Sequence, residues 1–311
     1  MTSRRALVTG AEGFVGQALC AHLTAQGWDV RGSALRDLPD AGGSYFQCDI
    51  TDRVEVERLM VWAAGATHVF HLAALTFVPD SLQDPALAMT ANLIGTIHLT
   101  SSLKTHLPNA RLIYVGSADA YGVPQSLPVT EDHPLRPDNP YSISKAAADE
   151  FCGYLHKASR ADIVRMRPFN HSGAGQAERF VLSNFARQIA AIEAGKAEPV
   201  LRVGNLAAAR DFSHVNDVVR AYELAALHGT AGEVYNVCSG RSRVIQDALD
   251  ILLSLSTTPI RVEVDAARLR PVDVKDVHGS HAKLTAQTGW EPVLTFESLL
   301  ADLLAYWRPR V

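Results

Sequence analysis

The chain has 311 residues, of which 47% are hydrophobic and 20% charged, and its formal net charge is −4. A mildly acidic balance without a basic tract excludes a nucleic-acid binder, and no run approaches the ~18 uninterrupted apolar residues of a membrane span. Beyond roughly 250 residues a single core tends to split, so two lobes are expected. The first residues lead straight into an apolar strand pattern without a signal-like run, so the expectation is a cytoplasmic protein with neither membrane nor nucleic acid as partner. Cys20, Cys48, Cys152 and Cys238 are scattered, with no Cys-x-x-Cys and no paired-histidine spacing, so neither a disulfide framework nor a metal site is expected.

In chain order, residues 5–9 form a short apolar run that ends in Gly10-x-x-Gly13-x-x-Gly16, and a helical pattern follows as far as Gly27. Glycines at this spacing let a backbone turn tightly and approach a pyrophosphate, while the helix that follows offers free N–H groups and the positive end of its dipole. Gly10, Gly13, Phe14, Val15 and Gly16 are therefore the expected phosphate-side contacts of a dinucleotide. Residues 28–34 read as the second strand. An acid at its end would hold ribose hydroxyls and an arginine a 2′-phosphate. The acid's place falls near Ala34, with Arg36 two residues on, which favours NADPH, while the neighbouring Asp37 pulls the other way and keeps NADH possible. Residues 46–50 fit a third strand, with Asp49 and Ile50 at its end; Asp49 meets the adenine edge or caps a helix, and Asp52 is the safer cap.

Residues 68–74 read as the fourth strand, where Leu72 and the small Ala73 and Ala74 leave room for a cofactor, and where His68 and His71 are packed rather than ligating. A fifth strand at 111–116 delivers Ser117, Asp119 and Tyr121. Five prolines between 122 and 140 mark an irregular loop leading to a helix at 141–157. On that helix Tyr141 and Lys145 lie one turn apart on one face. The phenol can exchange a proton with a substrate oxygen, the ammonium can draw its titration downward, and Ser117 can reach the same oxygen from another side. Ala146, Ala147, Phe151 and Tyr154 form an apolar face suited to a homodimer. After a sixth strand at 162–167 comes a polar turn at 168–176, a helix at 180–194 and an irregular stretch at 199–210. The expected division is a dinucleotide-binding domain at 1–166, rejoined by about 211–238, and a substrate lobe at 167–210 and 239–311. The fold class is α/β: a Rossmann-type doubly wound parallel sheet with a smaller C-terminal lobe.

Taken together, the glycine motif, Ser117, Tyr141-x-x-x-Lys145 and Asn170 resemble the extended short-chain dehydrogenase/reductases that modify nucleotide sugars. Arg167-Pro168-Phe169-Asn170-His171, Gly173-Ala174-Gly175-Gln176, Gly204-Asn205-Leu206 and Arg210-Asp211-Phe212 are similar to the guanine-nucleotide-sugar branch, which holds GDP-mannose 4,6-dehydratases and GDP-6-deoxy-D-mannose reductases. Residues 76–79, 234–240 and 279–283 look closest to the reductases. The resemblance implies reduction of a GDP-linked 4-keto-6-deoxy sugar to GDP-D-rhamnose with NADPH or NADH. It assigns Ser117, Tyr141 and Lys145 to catalysis, and Asp119, Asn170, Val181, Asn205, Arg210, Arg270 and Asp273 to the substrate. A dehydratase would carry a Thr-x-Glu pair where this chain has Ser117 and Asp119, and Asp is one methylene too short for the same proton transfer. The alternatives are that dehydratase, the C4-epimeric reductase giving GDP-6-deoxy-D-talose, and a non-catalytic dinucleotide-binding protein. Gly173-Ala174-Gly175 departs from the family's Gly-Pro-Gly.

Overall fold

The computed structural model describes residues 4–36, 44–266 and 274–311. Asp37, Arg270 and Asp273 lie outside them. Apolar runs build the main sheet: β1 (Arg5–Thr9), β2 (Asp29–Ala34), β3 (Tyr45–Gln47), β4 (His68–His71), β5 (Arg111–Val115) and β6 (Ile163–Pro168). Further along come β7 (Asn170–Ser172), β8 (Val200–Val203), β9 (Ala209–His214), β10 (Val234–Val237), β11 (Ser242–Val244), β12 (Arg261–Val264) and β13 (Asp276–Val277). The main sheet runs β3-β2-β1-β4-β5-β6-β10 with every pairing parallel. Its order reverses between β1 and β4, so a crevice opens at the carbonyl ends of those strands.

The helices are α1 (Phe14–Ala25), α2 (Arg53–Trp62), α3 (Val78–Gln83), α4 (Pro85–Met89), α5 (Gly95–His106), α6 (Pro140–Ser159), α7 (Val181–Glu193), α8 (Val215–His228), α9 (Ile245–Ser254), α10 (Ala282–Thr288) and α11 (Phe296–Trp307). One sheet face buries Leu19, Leu23, Val218 and Tyr222 from α1 and α8. The other buries Val56, Leu59, Leu99 and Cys152 from α2, α5 and α6. A separate core joins Phe185 and Ile189 of α7 to Leu201, Leu249, Leu300 and Leu303. Asp52 caps α2 as expected, accepting from Val54 N and Glu55 N. Among the described residues no helix is long and apolar enough to cross a membrane, and no cluster of His, Cys, Asp and Glu could hold a metal. The four cysteines are buried and free.

Three expectations change. The stretch 199–210 is not irregular, because β8 pairs in parallel with β12 and β9 pairs with β7, β11 and β13. Its partners come from distant parts of the sequence, which local pattern does not register. The turn at 168–176 holds β7 for the same reason. On α6, Ala146 is buried and only Tyr154 of the expected apolar face is more than half exposed, at 60%.

What fixes α6 against the sheet is a buried ionic cluster. Asp149, 1% exposed, accepts from Arg165 Nη1 at 2.8 Å and from Arg167 Nη2 and Nε at 2.8 and 3.0 Å. Arg167 Nη1 donates onward to the Tyr121 hydroxyl at 3.0 Å, which donates to Asn236 Oδ1 at 2.8 Å. The carboxylate thus joins α6 to β6, and through Tyr121 and Asn236 to the end of β5 and to β10. Removing it leaves guanidinium charge uncompensated in the interior. Asp149→Ala should lower the unfolding free energy by about 3–5 kcal/mol, measured by urea denaturation.

Candidate active site

The glycine turn between β1 and α1 exists because no side chain fits there. A Cβ on Gly16 would sit 2.1 Å from the Gly10 carbonyl oxygen, and Gly10 itself has φ of 68°. Helix α1 begins at Gly13 with no side-chain cap and no acid in its first turn. Its first N–H groups therefore face the crevice free of side-chain acceptors, as a phosphate-binding helix requires. From here a cavity of about 770 Å³ runs along the carbonyl ends of the sheet. It is bounded by the glycine turn, the ends of β2 and β3, residues 72–79, residues 115–119, Tyr141, Lys145 and the chain from Pro168 to Leu182.

The end of β4 is set by a chain of neutral hydrogen bonds. Thr96 Oγ1 donates to the Asn92 carbonyl at 2.6 Å, so it accepts from His71 Nε2 at 3.0 Å. His71 Nδ1 then accepts from Thr9 Oγ1 at 2.8 Å, whose lone pairs meet Leu72 N and Ala73 N, both at 3.2 Å. Complete burial drives the imidazole titration down to about 3, so it stays neutral and the chain keeps one direction. Asn92 sits in a wide π turn at Thr90–Ile94, inserted between α4 and α5. There Nδ2 donates to Leu75 O at 3.0 Å and Ser144 Oγ at 2.8 Å, while Oδ1 accepts from Leu75 N at 2.8 Å. Ser144 Oγ donates to Tyr141 O at 2.7 Å, which ties the first turn of α6 to the segment after β4.

The start of α6 is also firmly capped. Asn139 Oδ1 accepts from Ser142 N at 3.0 Å and Ser142 Oγ accepts from Asn139 N at 3.1 Å, with Pro140 as the first helical residue. This places Tyr141, 8% exposed, and Lys145, 5% exposed, on the cavity wall. Ser117, at the end of β5, accepts from Asp119 N at 3.1 Å and is 7% exposed. The three residues picked from the sequence therefore line one cleft.

Their electrostatics differ from expectation in one respect. Burial pushes the Tyr141 phenol well above its usual range, the Asp119 carboxylate pushes it further, and the Ser117 hydroxyl draws it partly back. Lys145 does not lower it: the ammonium turns to Val115 O, to which it donates at 2.7 Å, and lies 5.4 Å from the centre of the Tyr114 ring. The phenol is therefore a protonated donor at neutral pH. Burial lowers Lys145 from 10.5 to about 8, partly opposed by Asp149 and Cys152.

Of the other residues singled out, Gly10, Gly13, Phe14, Val15, Gly16, Asp49, Ile50, Leu72, Ala73, Ala74, Asp119, Asn170 and Val181 line the same cavity. Asp49 also caps locally, its Oδ1 accepting from Thr51 N and Oγ1 at 2.8 Å. Arg36 is exposed and is not among the lining residues. Asn205 and Arg210 do not line it either: Asn205 Oδ1 accepts from Ala207 N at 3.0 Å, and Arg210 Nη1 donates to the carbonyls of Ala209 and Val274 at 2.8 and 2.7 Å. Sequence reading missed Glu12, His171, Arg179 and Tyr222 as lining residues. The His171 ring faces that of Phe14 at 6.3 Å across the cleft. Arg179 pairs with Asp80 at 2.8 Å and lies 4.4 Å over the Phe77 ring, bridging the two walls. The Phe77 and Phe180 rings meet beside it at 5.5 Å, and no local spacing in the sequence signals that bridge.

A glycine-turn dinucleotide crevice with Ser117, Tyr141 and Lys145 at its carbonyl end defines an extended short-chain dehydrogenase/reductase. The model of the GDP-mannose 4,6 dehydratase family matches residues 7–303, and the chain belongs to that family. It is 36% identical to GDP-6-deoxy-D-mannose reductase of Pseudomonas aeruginosa over 99% of each chain. The structure of RMD from Pseudomonas aeruginosa complexed with NADPH superposes with a TM-score of 0.89 at 36% identity, covering 99% of this chain and 100% of that one. UDP-glucose 4-epimerase of Thermus thermophilus, in complex with NAD, gives 0.85 at 27% identity over 99% and 100%.

The lowered titration of Lys145 has a thermodynamic consequence. Its folded value lies below its unfolded one, so the buried ammonium costs stability in full below pH 8, and the cost fades as pH rises towards 10.5. Lys145→Met should raise the unfolding free energy at pH 7 by an amount on the order of 3 kcal/mol less the lost bond to Val115, and the gain should shrink between pH 8 and 10.5 in denaturation curves.

Proposed function

We propose that this protein reduces the C4 ketone of GDP-4-keto-6-deoxy-D-mannose to GDP-D-rhamnose. The observation that carries the reading is the protonated, buried Tyr141 phenol beside Ser117, at the carbonyl end of a dinucleotide crevice. The full-length likeness to a GDP-6-deoxy-D-mannose reductase supports the substrate class, and the NADPH-bound relative supports that cofactor, with NADH also admissible. The glycine turn, the uncapped start of α1 and the small residues after β4 fit such a dinucleotide. When bound, the reduced nicotinamide supplies hydride to C4.

The residues of the chain do the rest. Ser117 donates a hydrogen bond to the C4 oxygen and orients the carbonyl. Tyr141 gives its proton to the same oxygen as negative charge develops there, which its raised titration allows at neutral pH. Lys145, held by Val115 O, fixes the nicotinamide ribose and supplies positive charge to the site. Asp119, Asn170 and Val181, which line the cleft, contact the sugar-diphosphate part of the substrate. Asp119 disfavours a 4,6-dehydratase, whose C5 proton transfer needs a longer carboxylate. We further take the enzyme to be a cytoplasmic homodimer, formed through exposed Leu82, Leu87, Ile94 and Ile143, which lie on α3, α4, the π turn and α6.

With purified keto sugar, the protein should oxidise NADPH stoichiometrically, and proton coupling constants of the product should give the rhamno configuration; conversion of GDP-mannose to the keto sugar without reductant would instead indicate the dehydratase. Tyr141→Phe should lower kcat by about 10²–10⁴ with an unchanged circular dichroism spectrum. Light scattering should give twice the chain mass, and a concentration-independent monomer would remove the dimer.

A further inference from the structure

Glu12 stands between the first two glycines of the phosphate turn, and its side chain crosses from that turn to the end of β2. Its Oε1 accepts from Leu35 N at 2.7 Å. Its Oε2 is fully buried and has no hydrogen-bond partner. Glu12, Ser33, Ala34 and Leu35 line the same end of the cavity. In a doubly wound fold this is where the adenosine ribose hydroxyls are read, by an acid placed at the tip of the second strand. Here the strand ends in Ala34, which has no acceptor to offer.

We propose that Glu12 replaces that acid from the neighbouring turn, accepting from the ribose 2′-hydroxyl and making this chain prefer NADH to NADPH. The inference rests on the reading of the cleft as a dinucleotide site and goes beyond it. A buried carboxylate oxygen without a donor is costly, and a free ribose hydroxyl supplies the missing donor. A 2′-phosphate supplies no such donor at neutral pH and sets a second anion against the first in a partly desolvated corner. Nothing basic lines this end among the described residues: its other walls are Cys48, Asp49, Ile50 and Thr51, and the cavity's cations, Lys145 and Arg179, stand with the nicotinamide and sugar walls.

The test is a direct titration of the full chain with NADH and with NADPH in the absence of any sugar, read by the change in nicotinamide fluorescence. NADH should bind about tenfold or more tightly than NADPH. Glu12→Gln keeps an acceptor for Leu35 N but removes the charge, and it should shift the affinity ratio towards NADPH by about tenfold; Glu12→Ser should shift it in the same direction. Arg36→Ala should leave the ratio unchanged. Circular dichroism of each variant establishes that it is folded. Tighter binding of NADPH by the wild type, a ratio indifferent to both Glu12 substitutions, or a loss of NADPH binding confined to Arg36→Ala would each overturn the inference. Those results would leave the proposed reduction intact, whereas a protein that binds either dinucleotide but does not reduce the keto sugar would overturn only the proposed function.

Discussion

The site depends on the burial of one carboxylate. Asp149 meets two guanidinium groups from β6 in an interior where a lone charge would be untenable, so α6 has one position against the sheet rather than several. Tyr141 and Lys145 ride on that helix two turns and one turn before Asp149. The same carboxylate counters the desolvation of Lys145 and keeps the ammonium available near neutral pH. Structure and electrostatics here share a group, since the carboxylate that positions the helix also opposes the effect of burial on the Lys145 ammonium.

Neutral hydrogen bonds then register the other walls to this helix. The wide turn at Asn92 brings one side-chain amide between the backbone at Leu75 and the Ser144 hydroxyl, and Ser144 in turn holds the Tyr141 carbonyl. The relay through His71 adds Thr9 and the amides of Leu72 and Ala73. Because His71 is kept neutral by burial, these bonds do not change direction over the physiological range. The segment after β4, which packs where the dinucleotide would lie, is thus joined to the residue that would donate the proton.

The chemistry follows from desolvation. A phenol in water is already a weak acid; buried beside Asp119 it becomes weaker still, which suits a group that must keep its proton until an alkoxide forms. The sequence pattern alone suggested the opposite pull, from Lys145. That expectation treated helical spacing as proximity of the charged atoms, whereas the ammonium turns to the Val115 carbonyl.

Much of this was legible in the residues. The glycine spacing, the alternation of apolar runs with helical segments, and Tyr141 with Lys145 one turn apart are local patterns, and each is constrained by backbone sterics or helix periodicity. They determined a doubly wound parallel fold, a glycine-turn crevice and three residues, Ser117, Tyr141 and Lys145, that line it. Tertiary structure alone decided the rest: β8 and β9 as strands, Arg210 directed to the carbonyls of Ala209 and Val274, Arg179 bridging both walls, and Glu12 reaching the end of β2. These depend on partners distant in the chain, on which atoms lose water, and on where a flexible side chain finds its donor, and none of those is encoded in spacing along one segment.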